Sequence, residues 1–93
     1  MLNFHFVYIL LCRGGDFYAG FTSDIRRRLK EHNQGSNVST RNRRPVKLIY
    51  FEGHKSKKDA YRRESYFKTS KGKTTLKYIL EEYLESEVCL KTS

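Results

Sequence analysis

Apolar and polar positions alternate along this chain in two periods, and the change of period marks the elements. Residues 4–12, FHFVYILLC, form a continuous apolar run suited to a strand covered on both faces. Gly14, Gly15 and Asp16 supply turn chemistry, and 17–20, FYAG, resume an extended pattern, so the pair reads as a β-hairpin. Thr22 and Ser23 are good N-caps for a helix that runs to about Asn33 and ends before Gly35. A polar loop rich in Ser, Asn and Arg leads to Pro45, and residues 46–52, VKLIYFE, form a third strand. Ser56 opens a second helix, with Asp59 in capping-box spacing, which continues to about Ser70 and breaks at Gly72. A third helix spans about Thr74 to Leu84, with Leu76, Ile79, Leu80, Tyr83 and Leu84 on one stripe.

The expected architecture is α/β (α+β): β-β-α-β-α-α, a three-stranded antiparallel sheet, first strand central, packed with helices. Residues 1–85 form one domain, and 86–93 read as a frayed C-terminal tail. With 93 residues the chain buries one modest core. Seven Tyr and six Phe supply that core and argue against a disordered chain.

Charge narrows the partner. The chain carries 19 Lys+Arg against 10 Asp+Glu, a net charge of +9. Residues 1–72 hold 16 of those cations and 6 of the acids, whereas 73–93 hold 3 and 4. An anion-binding surface therefore belongs to the first three quarters, and the last quarter reads as a structural brace. Nucleic acid leads over an anionic membrane. No apolar run reaches the ~18 residues of a spanning helix, and the apolar start lacks the charged region and cleavage site of a signal peptide. Cys12 and Cys89 lie far apart without metal-ligand spacing and read as reduced thiols of a cytoplasmic protein.

Some polar residues fall where a local pattern points inward. At about 100° per residue, Ile25, Arg28, Leu29 and His32 share one stripe of the first helix, while Arg26 and Arg27 point away. On the second helix Glu64 falls between Ala60 and Phe67. A buried carboxylate is usually paired, bound to a metal or set at a cleft rim. Tyr8 alternates with Phe6 and Leu10 on one face of the first strand, and Tyr18 can lie across from it. Each residue alone has a bland account. Tyr8 suits a core aromatic, Arg28 a snorkelling side chain, His32 a helix-dipole partner, and Glu64 an ion pair with Lys68.

Taken together and in order, these residues resemble the GIY-YIG nuclease family. The segment 7–33, VYILLCRGGDFYAGFTSDIRRRLKEHN, carries most of the likeness. Val7-Tyr8 stands for the end of the first tripeptide and Tyr18-Ala19-Gly20 for the second, with Gly20 as a structural glycine. Arg28 matches the family's helix arginine, His32 its histidine and Glu64 its glutamate. Phe6 replaces the first Gly, Ala19 replaces the Ile, and Ser39 stands before Thr40 where small members often carry an aromatic.

The resemblance implies a metal-dependent endonuclease acting on DNA in preference to RNA, in repair or recombination. Tyr8 would activate a water, His32 and Tyr18 would shape the pocket, and Arg28 would grip the phosphate through two oxygens. Glu64 would hold one divalent cation, Mg²⁺ or Mn²⁺. Arg26, Arg27, Arg41, Arg43, Arg44, Lys55, Lys57 and Lys58 would hold the nucleic-acid backbone without reading sequence. The five residues Tyr8, Tyr18, Arg28, His32 and Glu64 are expected on one face of the sheet, in a groove with positive rims. The rival reading is a basic DNA- or RNA-binding module of the same fold, without turnover or dependent on a protein partner.

Overall fold

The computed structural model describes the backbone of residues 3–92 and the side chains of residues 3–87. Its elements are β1 (His5–Leu11), β2 (Phe17–Thr22), α1 (Ile25–Asn33), β3 (Lys47–His54), α2 (Lys57–Phe67), α3 (Ser70–Ile79) and α4 (Glu81–Thr92), with a 3₁₀ turn at Arg41–Arg43. The three strands form one antiparallel sheet in the order β2-β1-β3, so the most apolar strand is central, as expected.

Helices cover the sheet on both sides. One layer is built on Val7, Ile9 and Ala19 with Ala60, Phe67, Leu76 and Leu80, so α2 and α3 sit there. The other holds Tyr8, Leu10, Cys12 and Val46, against which Tyr18, Leu29 and Leu48 pack, so α1 sits there. Alternation along β1 sends its side chains to these two cores by turns.

The helical boundaries and caps differ from the expectation in several places. The first cap is Asp24, whose carboxylate accepts from the Arg27 N–H at 3.1 Å. Thr22 and Ser23 are not that cap, because Thr22 still belongs to β2. Ser56 does stand at the N-cap of α2, but no side-chain cap bond forms, and Asp59 instead pairs with Arg62 at 2.8 Å.

Gly72 does not break a helix. The chain turns at Lys68 and Thr69, Thr69 caps α3, and Gly72 lies buried inside α3. A Cβ on Gly72 would lie 2.7 Å from Phe67 Cα and closer still to the Tyr66 carbonyl. The glycine is therefore required by the close approach of α3 to the end of α2.

The third helix expected over Thr74–Leu84 is divided. α3 ends at Ile79 and α4 begins at Glu81, with Leu80 buried at the joint. The bend leaves Ile79 42% exposed, although its spacing assigned it to the core. The expected frayed tail is helical in its backbone through Thr92; its side chains after Glu87 lie outside the described residues. Glu87 ties α4 back to the sheet, accepting from Lys47 Nζ at 2.6 Å and from the Tyr83 hydroxyl at 2.7 Å.

Candidate active site

Tyr8 sits at the middle of the central strand with 2% of its surface exposed. Its cross-strand partner on β2 is Gly20. A Cβ at Gly20 would lie 2.7 Å from Tyr8 Cε1 and nearer to Cζ and the hydroxyl. The absent side chain is thus what allows the phenol to lie across β2, the outer strand.

The α1 stripe meets this ring. His32 is fully buried, and its Nε2 lies 2.9 Å from the Tyr8 hydroxyl. Its Nδ1 lies 2.7 Å from Thr40 Oγ1, in the loop after α1. Arg28 Nε donates to the Tyr8 oxygen at 3.3 Å, and Arg28 Nη1 donates to Glu31 at 3.0 Å. The Tyr18 ring stands edge-on to His32, with centroids 5.1 Å apart. Arg26 and Arg27 are exposed, as their phase predicts.

These contacts direct the protons. Burial, helped by Arg28, holds the His32 ring below its ordinary pKa, so at neutral pH the imidazole is uncharged. Arg28 already occupies the phenolic oxygen as a donor, so the Tyr8 proton is the one shared with His32 Nε2. The remaining ring proton then sits on Nδ1 and is donated to Thr40. Burial pushes the Tyr8 hydroxyl up to about 12, with Arg28 opposing and Tyr18 and Glu64 reinforcing.

Glu64 departs from the single-face expectation. It projects from α2, whose buried residues Ala60 and Phe67 pack on the opposite layer from Tyr8. Its negative charge is the weakest of the influences that raise the Tyr8 pKa. The reason is packing: α1 occupies the Tyr8 face, and the apolar pair of α2 fits the Val7 and Ile9 face. Glu64 also meets Lys68 at 3.4 Å, with 15% of its side-chain surface exposed. Among the described residues no group of three His, Cys, Asp or Glu could cage a metal. One carboxylate still fits Mg²⁺, which keeps several waters and takes its other oxygens from a phosphate.

The loop arginines have structural work. Arg41 Nε donates to the Gly35 carbonyl at 3.0 Å, and Arg43 Nε and Nη2 donate to Ser39 at 3.2 and 3.1 Å. Arg44 Nε donates to Arg41 at 2.9 Å and Nη1 to Asn33 at 3.3 Å. They hold the loop that carries Thr40. Lys55 lies 4.8 Å over the Phe4 ring, and Lys57 and Lys58 are exposed at the start of α2. Fully buried Thr40 is a site neighbour that sequence periodicity misses, since it lies in an irregular polar loop. A second polar cluster escapes the sequence too. Burial pushes the Glu52 carboxyl up, but bonds from Arg63, Tyr50 and His54 outweigh it and hold the group below its usual range. Only the alternation of Tyr50, Glu52 and His54 along β3 hinted at it.

Comparison with known proteins identifies the family. A family model described as the GIY-YIG catalytic domain matches residues 4–78. A UPF0213 protein of Bacillus licheniformis is 45% identical over 84 residues, covering 89% of this chain and 87% of that one. The UPF0213 protein YazA of Bacillus subtilis is 41% identical over 81 residues, covering 86% and 82%. The solution structure of the E. faecalis protein EF2693 superposes with a TM-score of 0.59 at 37% identity, covering 89% of this chain and 90% of that one. That of the UPF0213 protein BH0048 from Bacillus halodurans gives 0.53, also at 37% identity, over 82% and 84%. With the GIY-YIG model matched over most of its length and relatives this similar end to end, the chain belongs to the GIY-YIG family, among the small UPF0213 proteins.

Proposed function

We propose that the chain is a metal-dependent nucleic-acid endonuclease that hydrolyses phosphodiesters, with DNA as the preferred substrate and repair or recombination as its setting. The observation that carries this reading is the line of hydrogen bonds Arg28–Tyr8–His32–Thr40. It offers an oxygen that can take a proton from water and a base behind it that can receive one.

In the resting protein Tyr8 is a neutral phenol. As it accepts a proton from the attacking water, its own proton passes to His32 Nε2, so no free tyrosinate is required. The imidazolium formed keeps its Nδ1–H bond to Thr40 and gains the nearby charge of Glu31. Two of the five N–H donors of Arg28 are engaged, Nε by Tyr8 and one proton of Nη1 by Glu31, which leaves the other Nη1 proton and both Nη2 protons to meet the phosphate. The guanidinium is in turn held in place by those two bonds, and a positioned donor is what a phosphate developing charge requires. Glu64 would hold the cation, which when bound neutralises phosphate charge and helps the leaving oxygen.

A second reading, a binding module of the same fold without turnover, is favoured by the Tyr8 hydroxyl at about 12 and by the Lys68 partner on Glu64. Incubating the purified protein with plasmid in Mg²⁺, in Mn²⁺ and in chelator separates the two. Nicking or linearisation that depends on metal supports the nuclease; an inert protein that still retards the plasmid supports the module.

A further inference from the structure

Tyr8 is not the end of the aromatic series on its face of the sheet. Phe6 shares its parity along β1, Phe4 continues that parity just before the strand, and Phe51 is the cross-strand partner of Tyr8 on β3. The three phenylalanines touch in a row: Phe4 and Phe6 centroids are 6.2 Å apart, and Phe6 and Phe51 6.1 Å. Phe51 is 54% exposed. Gly53 makes the row possible, since a Cβ there would meet Phe4 at 3.2 Å and Phe6 at 3.4 Å. A cleft of about 340 Å³ opens beside Phe4 and Phe6, bounded also by Asn3, His5 and Ser23.

We propose that Phe4, Phe6 and Phe51 form a stacking platform for an unpaired nucleobase adjoining the phosphate held at Tyr8 and Arg28. This rests on the nuclease reading, because it places the platform beside the scissile position. Aromatic rings on a part-exposed stretch of sheet, here next to the end that α1 covers, are suited to splayed bases, whose flat surfaces are covered within a paired and stacked duplex. The rim has the sign a nucleotide needs. Lys55 Nζ lies 4.8 Å over the Phe4 ring. That cationic border argues for a phosphate-bearing partner over an apolar protein surface. The polar lining of the cleft, Asn3 and Ser23, offers hydrogen-bonding groups to the edge of a base.

The test uses fluorescent oligonucleotides, one single-stranded and one a hairpin-free duplex of the same sequence, without metal so that none is consumed. The variant is Phe51→Leu, which keeps an apolar side chain at an exposed position and removes the π face. Single-strand affinity is expected to fall about 5- to 100-fold, with duplex affinity unchanged. Phe51→Tyr should keep wild-type affinity. An unpaired 2-aminopurine should be quenched by the wild type and not by Phe51→Leu. Equal loss for both oligonucleotides, or no loss for either, overturns the platform. So does a wild-type protein that sediments as a dimer and becomes monomeric in Phe51→Leu, which makes this face a contact between copies. Because the readout is binding, a protein that never cleaves but shows the Phe51 effect keeps the platform and loses the nuclease reading. One that cleaves and shows no such effect does the reverse.

Discussion

The Tyr8 hydroxyl and His32 Nε2 are 24 positions apart in the chain and 2.9 Å apart in the fold. The contact joins the central strand to the last turn of α1, and the missing side chain of Gly20 gives the phenol its room.

Three substitutions separate chemistry from binding. Tyr8→Phe keeps the ring and removes the hydroxyl, so cleavage should fall by orders of magnitude while DNA affinity holds. Glu64→Ala should do the same, with affinity equal or slightly higher because a negative charge is gone. Were Glu64 only the partner of Lys68, its loss would cost about 0.3–0.5 kcal/mol and leave cleavage intact. Arg28→Ala should weaken both, since it bonds Tyr8 and is the residue proposed to meet the phosphate. Cleavage rate is measured beside affinity, with folding checked by circular dichroism. Equal cleavage by wild type and Glu64→Ala would sink the assigned metal ligand.

Acid should loosen the fold through His32. Its pKa in the folded state is held below the ordinary ~6.5, so between those two values the unfolded chain binds more protons. That contribution is complete above about pH 6.5 and is lost as pH falls through the lowered folded value. Thr40→Val should cost a further ~1–3 kcal/mol by orphaning the buried Nδ1–H. Denaturant unfolding across this window checks both; a His32→Phe variant with the same acid sensitivity as wild type would remove the assignment.

Alkali acts through Tyr8 with the opposite sense. The folded hydroxyl stands at about 12 against an ordinary 10.0, so its contribution is present below pH 10 and is lost as pH rises through the folded value. The difference corresponds to about 2–3 kcal/mol. Difference absorbance of tyrosinate in wild type and Tyr8→Phe should show one late-titrating phenol missing from the variant.

Gly72→Ala should destabilise the protein, although alanine favours helices by about 1 kcal/mol in an exposed interior. Its methyl group would press on the backbone of Tyr66 and Phe67, which cannot turn aside as a side chain does. The expected loss is about 1–3 kcal/mol or more by thermal or denaturant unfolding. A stabilised variant would mean that α2 and α3 are not in close contact there.

DNA affinity should fall steeply with salt, because a chain of net charge +9 meets the backbone mainly through phosphates. Replacing Lys57 and Lys58 together by Gln should reduce the slope of log affinity against log salt by about 2 for duplex DNA. A slope equal to that of wild type would place the contact elsewhere.

Local pattern determined a good deal of this protein. Continuous apolar residues made β1 the central strand, since each of its faces must be covered. The phase of α1 separated Arg28 and His32 from Arg26 and Arg27, because helical geometry alone sets which side chains share a face. The ordered series of two tyrosines, an arginine, a histidine and a glutamate carried the family likeness. Tertiary packing decided what periodicity cannot encode. The phase of α2 showed that Glu64 flanks its apolar stripe, but not which side of the sheet that stripe would cover. That depends on which face α1 had already taken. Gly72 has the same composition signal whether it ends a helix or lets two helices touch, and only the Tyr66 carbonyl beside it distinguishes them. Thr40 lies in a loop with no period at all, so nothing short of the folded chain could bring it to His32. A repeating pattern reports the face an element presents; the partner of that face is chosen by the rest of the chain.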